Sequence, residues 1–404
     1  MNGPRKATSL PHVMPPRREE FLPFHRPTIG EEEVREVSAV LRSGWLTTGA
    51  RVKQLEERLR ERLGCAEAVA VNSCTAALHL ALVTAGVGPG DEVVTTPYTF
   101  SSTGETILYT GARPVFVDVL PGTANLDPER LEAAITDRTR AILPVHMAGY
   151  PCEMDRIAEI AARRGLPVIE DAAHAMGTAY RGRPVGSLSR FTCFSFYATK
   201  NLTTGEGGLL ALGDPDDAAR VRRLSLHGLS RDAWKRYMDA GSWSYAIEDL
   251  GFKYNMPDFA AAIGLCQLER FEEEQRRREE IAAHYRTLLA DCEAVELPPE
   301  TQAEGDRHAW HLFIVRLHLD RLRVDRDTFA RRLQEANLGI SVHFIPLHLH
   351  PLYRQALGTK EGDYPVAEGL FRRAISLPFF PSMIPSEVEY VAAVVRALAE
   401  EFRR

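Results

Sequence analysis

A chain of 404 residues is longer than one hydrophobic core usually organises, so a large domain with a smaller companion is expected. With 45% hydrophobic and 26% charged residues and a net charge of -6, the composition suits a soluble protein and argues against a nucleic-acid partner. The six cysteines, Cys65, Cys74, Cys152, Cys193, Cys266 and Cys292, form no close pair at metal-ligand spacing and are read as reduced thiols of a cytoplasmic protein.

Residues 1–20, rich in Pro and Arg and lacking an apolar stretch, read as a flexible tail rather than an export or transit signal. From Gly30 a helical pattern passes through Val34, Val37, Val40 and Leu41 and ends near SGWLTTG (43–49). A second helix is predicted over Val52 to Leu63. The apolar run from Ala66 to Gly88 is interrupted by Asn72, Ser73 and His79, so it reads as a strand (Ala68–Val71) and a helix (Thr75–Thr84), not a membrane span. Strands are predicted at Glu92–Thr95 and Pro114–Val119, each after a turn signal, GPGD (88–91) and GARP (111–114). Two more, Ala141–Val145 and Pro167–Glu170, flank a helix over Met154–Arg164. Phe191–Phe196 and Gly208–Leu212 follow, separated by TKNLTTGEGG. A long charged helix is predicted from near Pro257 to Leu289, leading out of the large domain. Strands near His311–Leu317 and Gly339–Phe344, with helices near Asp325–Glu335 and Pro385–Phe402, suggest a smaller α+β domain. Alternating strands and helices predict an α/β fold with a mostly parallel sheet covered on both faces. The expected division is a large domain over 21–270 and a small one over 271–404.

Three segments carry chemistry. VIEDAAHAMG (168–177) ends a strand in Glu170 and Asp171, where ligands of open α/β sheets gather; simple capping of the next turn is the alternative. FTCFSFYATKNLTTGEGG (191–208) leads from a strand through Ser195 to Lys200 and a glycine loop that lets backbone approach a ligand. AVNSCTAALHLAL (70–82) turns from a strand into a helix, and its N–H groups suit a phosphate, although N-capping by Ser73 or Thr75 is an equal reading. Together they fit pyridoxal 5'-phosphate (PLP), which needs an amine, an anion beside its ring nitrogen, a phosphate cup and a flat group over the ring. Lys200, Asp171, Thr75 with Ser195, and Phe100 in TTPYTFSST (95–103) supply these in turn.

The chain resembles the DegT/StrS family of PLP-dependent nucleotide-sugar aminotransferases over roughly residues 21 to 400. The resemblance lies in FLPFHRPTIG, SGWLTTG, NSCTAALH, AILPVHMAGYPCEMD, VIEDAAHAMG, FSFYATKNLTTGEGG and GFKYNMPDFAAAIGLCQL. It implies the fold-type-I architecture, with a seven-stranded, mostly parallel sheet between helices and a small C-terminal α+β domain. By resemblance, Lys200 holds the cofactor as an imine, Asp171 faces its ring nitrogen, and His174 lies near its ring hydroxyl. Thr75, Ala76 and Ser195 hold the phosphate, Phe100 stacks on the ring, and His343 meets the sugar. The implied substrates are glutamate and a nucleotide-linked keto-sugar, aminated at C-4; C-3 amination or a cyclic ketone is the alternative. A homodimer with shared sites is also implied, completed across the interface by the loop matching GFKYNM (251–256), here bearing Lys253 and Asn255. Those two residues, FLPF, HGL-x-x-DAW (227–234) and HAWHLF (308–313) resemble the UDP-4-amino-4-deoxy-L-arabinose branch. Phe100, where that branch tends to have Trp, and HFIPLHLHPLY (343–353) match the broader family instead. The histidines of that last stretch lack a nearby carboxylate or cysteine and are assigned to substrate contact and packing, not metal. Retention of Lys200 and Asp171 argues against both a dehydratase, in which His replaces the lysine, and a non-catalytic regulator of the same fold.

Overall fold

The computed structural model describes residues 13–230, 245–301 and 303–404; Asp232, Ala233 and Trp234 of the HGL-x-x-DAW segment lie outside them. The chain begins with helices α1 (Glu31–Ser43) and α2 (Ala50–Leu63), strand β1 (Glu67–Val71) and helix α3 (Cys74–Thr84). Next come β2 (Glu92–Thr95), α4 (Ser101–Tyr109), β3 (Arg113–Phe116), α5 (Pro128–Ala134), β4 (Thr139–Leu143), α6 (Met154–Arg164) and β5 (Ile169–Asp171). A short hairpin, β6 (Ala179–Tyr180) and β7 (Arg183–Pro184), leads to β8 (Phe191–Ser195), β9 (Gly208–Leu212) and α7 (Pro215–Leu224). Helices α8 (Asp258–Glu269) and α9 (Phe271–Leu289) precede β10 (Val295–Glu296), β11 (Ile314–Leu317) and α10 (Arg326–Glu335). The chain closes with α11 (Pro351–Leu357), α12 (Pro365–Arg373), β12 (Ala374–Ser376) and α13 (Pro385–Glu401).

Two ladders, β1-β9-β8-β5 and β3-β2-β4, are joined by parallel bridges Ile142–Val168 and Val145–Asp171. The result is the expected seven-stranded sheet, in which only β9 runs antiparallel to its neighbours. Strands β2, β5, β8 and β9 are buried throughout, as a sheet with helices on both faces requires. Helix α3 is apolar on nearly every side because it is enclosed between the sheet and neighbouring helices. By contrast α6 buries one stripe, Met154, Ile157, Ile160 and Ala161, and stops at Gly165, whose φ of 63° favours glycine.

A separate apolar core joins Tyr285, Phe313, Phe329, Phe379, Val391 and Leu398 around the β10-β11-β12 sheet, and it takes in Leu22 from near the start of the chain. Arg17, inside the stretch expected as a tail, donates to the Glu335 carbonyl at 2.9 Å.

Two predicted elements differ. The helix expected to run unbroken from Pro257 to Leu289 is divided at Arg270, where φ is −103° and ψ 7°. Its first half is not charged but small and apolar, with Ala260, Ala261, Ala262 and Gly264 buried against α1 and α2. Its second half turns Ile281 and Tyr285 into the other core. The change of packing partner demands a change of axis, and Arg270 holds the corner by binding Glu33, Glu274 and the Thr28 carbonyl. The strand expected over Gly339–Phe344 does not form a ladder. Leu338 bridges to Leu22 on one side and Ser341 to Ser376 on the other, so no single neighbour pairs with the segment continuously.

Candidate active site

Parallel strands β5 and β8 bring Asp171 and Cys193 into register, so the carboxyl ends of both strands open at one edge of the sheet. There Asp171, the Ser195–Lys200 segment and the N-terminus of α3 come together. Ser73 caps α3, its Oγ accepting the Ala76 N–H at 3.0 Å. The first-turn N–H groups of Cys74 and Thr75 have no intrahelical acceptor. Ser195 pairs in register with Gly208 on β9. A Cβ at Gly208 would stand 2.5 Å from the Ser73 carbonyl carbon and 2.7 Å from the Cys74 nitrogen. Glycine in GEGG therefore lets the helix start settle onto the strand, making a cup of N–H groups and hydroxyls suited to a phosphate.

Asp171 is 4% exposed; its Oδ2 accepts from Thr103 Oγ1 at 2.7 Å and its Oδ1 from the Ala173 N–H at 3.1 Å. Thr103 is itself 2.8 Å from Thr99 Oγ1, so two threonines of the TTPYTFSST segment hold the carboxylate. Burial pushes the Asp171 carboxyl above its usual range, opposed by Thr103, the Ala173 amide and Lys200. A cationic ring nitrogen placed against it would favour the carboxylate.

Lys200 is partly buried, and burial pushes its amine down to about 8, while Cys74 and Asp171 pull the other way. Its Nζ lies 3.4 Å from His311 Nε2. Asn201 fixes the protonation of that ring. Its amide donates to the Ala309 carbonyl at 2.7 Å and to Gln275 Oε1 at 3.2 Å, so its Oδ1 must accept from His311 Nδ1, 3.2 Å away. Burial, with Lys200 beside it, holds His311 well below its usual pKa, leaving Nε2 as a lone pair aimed at Lys200. His174 is likewise kept neutral by burial and Lys200. Its Nδ1 accepts the Ala148 N–H at 3.3 Å, so its other nitrogen carries the proton.

The remaining expected residues divide. His343 is drawn to the same space, its Nδ1 2.7 Å from Ser376 Oγ, and burial pushes it down to about 3. Phe100 is 58% exposed and leans on Phe344, with centroids 5.9 Å apart. Phe344 in turn stacks on His174 at 5.9 Å. Lys253 and Asn255 do not join Lys200. Asn255 donates to Thr48 Oγ1 at 2.8 Å, and the Lys253 carbonyl accepts from Asn72 at 3.3 Å, one residue before the capping Ser73. The Lys253 side chain is exposed. Sequence reasoning missed Thr103, Asn201, His311, Gln275 and Phe344. Within HAWHLF, His311 stands as a polar residue in an apolar run, and that is the signal that marks it.

These residues fit PLP: a partly neutral lysine, a buried carboxylate tied in place, a neutral histidine presenting N–H and a glycine-floored anion cup stand at one edge. The sequence profile of the DegT/DnrJ/EryC1/StrS aminotransferase family matches residues 27–396. The spore coat polysaccharide biosynthesis protein SpsC of Bacillus subtilis is 49% identical over 385 residues, covering 95% of this chain and 98% of that protein. A Streptococcus pneumoniae protein named as a sugar aminotransferase, solved in its PLP form, superposes with a TM-score of 0.88 at 34% identity, over 94% of this chain and 99% of the other. DesI, solved in the presence of its TDP-sugar product, superposes with a TM-score of 0.84 at 32% identity, over 95% and 94% of the two chains.

Proposed function

The chain belongs to the DegT/DnrJ/EryC1/StrS aminotransferase family, and from that premise we propose that this PLP-dependent sugar aminotransferase carries an amino group from glutamate to the C-4 keto carbon of a nucleotide-linked keto-sugar. The observation that carries the site assignment is the apposition of the Asp171 carboxylate and the Lys200 amine at neighbouring strand ends beside the start of α3.

When bound, PLP supplies an electron sink for the carbon that bears the amino group. Thr75, Ala76 and Ser195, with the first turn of α3, hold the phosphate. Asp171 keeps a proton on the ring nitrogen by standing against it as an anion. His174 would meet the ring hydroxyl, Phe100 would cover the ring, and His343 would receive the sugar. Lys200 Nζ, oriented by the His311 lone pair, takes the proton from the donor's α-carbon and later returns one to the sugar carbon. The donor leaves as its 2-oxo acid. Lys253 and Asn255 support C-4, since in GFKYNM they resemble the UDP-4-amino-4-deoxy-L-arabinose branch.

The same reading includes a cytoplasmic homodimer, two domains dividing near residue 270, and Lys253 with Asn255 acting at the partner's site. Exposed Val34, Leu41, Trp45 and Leu46 support an interface, and Trp45 and Asn255 line one groove of about 1450 Å³.

Purified protein is expected to absorb near ~420 nm through lysine-bound cofactor and to lose that band on adding glutamate. Lys200→Ala is expected to show no such band. A panel of UDP-, dTDP- and GDP-linked keto-sugars, with products read by NMR, tests the position: a C-3 amine would overturn C-4. Mixing Lys200→Ala subunits with a Lys253→Ala/Asn255→Ala variant tests the shared site. Random exchange should restore activity towards roughly a quarter of wild type, because one site per heterodimer is then intact. No recovery after verified exchange removes the shared site.

A further inference from the structure

Four arginines are buried among the described residues: Arg278, Arg316, Arg326 and Arg396. Three are paired. Arg316 binds Glu296 and the Pro121 carbonyl, Arg326 binds Asp327 and the Ala374 carbonyl, and Arg396 binds Asp291 and the Leu288 carbonyl. Arg278 is different. It is 2% exposed, and its Nε and Nη1 atoms are enclosed without a hydrogen-bond partner. The acid that acts on it, Glu274, already binds Arg270 at 3.0 Å. A guanidinium keeps its proton at neutral pH, so an enclosed one without partners is a seat for an anion.

Arg278 lies close enough to His311 and His25 to act on both rings electrostatically. Gln275 lies three residues before it, on the same side of α9. Gln275 accepts from Asn201, Asn201 holds His311, and His311 meets Lys200. His25 shares this space. Its Nε2 is also enclosed and unpartnered, and burial, then Arg278, with a smaller push from Lys200, drives the ring down to about 3. His311 feels Lys200 and Arg278 in the same way.

Chemistry identifies the anion. The phosphates of a nucleotide sugar are separated from the reacting carbon by the sugar ring. An α-amino acid carries a carboxylate one bond from its reacting carbon, so its carboxylate must come to rest close to Lys200. We propose that Arg278 receives the α-carboxylate of the amino-donor amino acid, an inference that rests on the aminotransferase reading above. The planar fork of Arg278 offers two parallel N–H donors to two carboxylate oxygens.

The test uses the holoenzyme, L-glutamate and its α-amide, isoglutamine. In Arg278→Gln the apparent Kd for L-glutamate, read from the visible spectrum, is expected to rise ~100-fold, and the preference for L-glutamate over isoglutamine to disappear. Arg278→Lys, which keeps the charge but loses the fork, is expected to lose about tenfold. A readout independent of turnover is the Tm rise given by 2-methyl-L-glutamate, which has no α-hydrogen to lose; it should be present in wild type and absent in Arg278→Gln. Glutamate binding by Arg278→Gln within about threefold of wild type would overturn the proposal. Should that variant not fold, the wild type decides: equal affinity for L-glutamate and isoglutamine overturns the proposal, and a strong preference together with the Arg278→Lys loss supports it. Protein that takes up no PLP would overturn the aminotransferase reading and this proposal together, whereas protein that takes up PLP and ignores the α-carboxylate overturns this proposal alone.

Discussion

Glu170 and Asp171 are adjacent carboxylates on one short strand, and they do opposite things. Alternation along β5 sends them to opposite faces of the sheet. Glu170 meets Thr192, its register partner on β8, at 2.8 Å and His146 Nε2 at 2.8 Å, and all three are 0% exposed. His146 Nδ1 accepts the Cys152 N–H at 3.0 Å, so its Nε2 donates to Glu170 and the network closes on itself. Asp171 is held as firmly, by Thr103 and the Ala173 amide, but it stands at the open strand edge facing Lys200. A carboxylate whose partners are all internal is scaffold. One fixed in place yet within reach of an added cation is positioned for chemistry.

That contrast can be broken by mutation. The largest effect is expected at the open face: Asp171→Asn should lower kcat by on the order of 10³-fold or more with PLP still bound and Tm little changed, because the ring nitrogen loses its counter-charge. Normal turnover in that variant would assign the role to another acid. At the closed face the outcome should invert. Glu170→Ala strands the His146 and Thr192 donors and is expected to cost roughly 3–5 kcal/mol in denaturant unfolding, with activity per folded molecule within about tenfold. Should Glu170→Ala instead unfold normally and lose turnover, the two carboxylates would not differ as described.

Thr103→Val removes one support of Asp171 without touching its charge. A loss of about tenfold in kcat is expected, as for one hydrogen bond to a charged group, and no change would mean the Ala173 amide suffices. The smallest effect is a shift in pH dependence. Uptake of PLP by cofactor-free protein needs the neutral Lys200 amine, so the rate of band growth should rise with pH through a midpoint near about 8. Asp171 raises that midpoint by favouring the charged amine, so Asp171→Asn should move it to lower pH, whereas Glu170→Gln should leave it in place. Equal shifts in both variants would show that Lys200 senses both faces.

Features that depend on near neighbours along the chain follow from local pattern. Strand Glu92–Thr95 and helix Met154–Arg164 stand where their periodicity and bounding glycines put them, and Asp171, Lys200 and the Ser73-capped turn were legible because each sits where a strand ends in small polar residues. The remaining features come from long-range contacts. Local pattern could not place β9 antiparallel between β1 and β8, since that order comes from long-range pairing. Nor could it break the helix at Arg270, where the turn is imposed by two different cores and by Glu33, 237 residues earlier. His311 reaches Lys200 across 111 residues of sequence, and His25 and Arg278 come to the same space from the start of the chain and from α9. Periodicity records which face of an element is apolar, but not which distant face it will meet. The groups that surround Lys200 are set by those meetings.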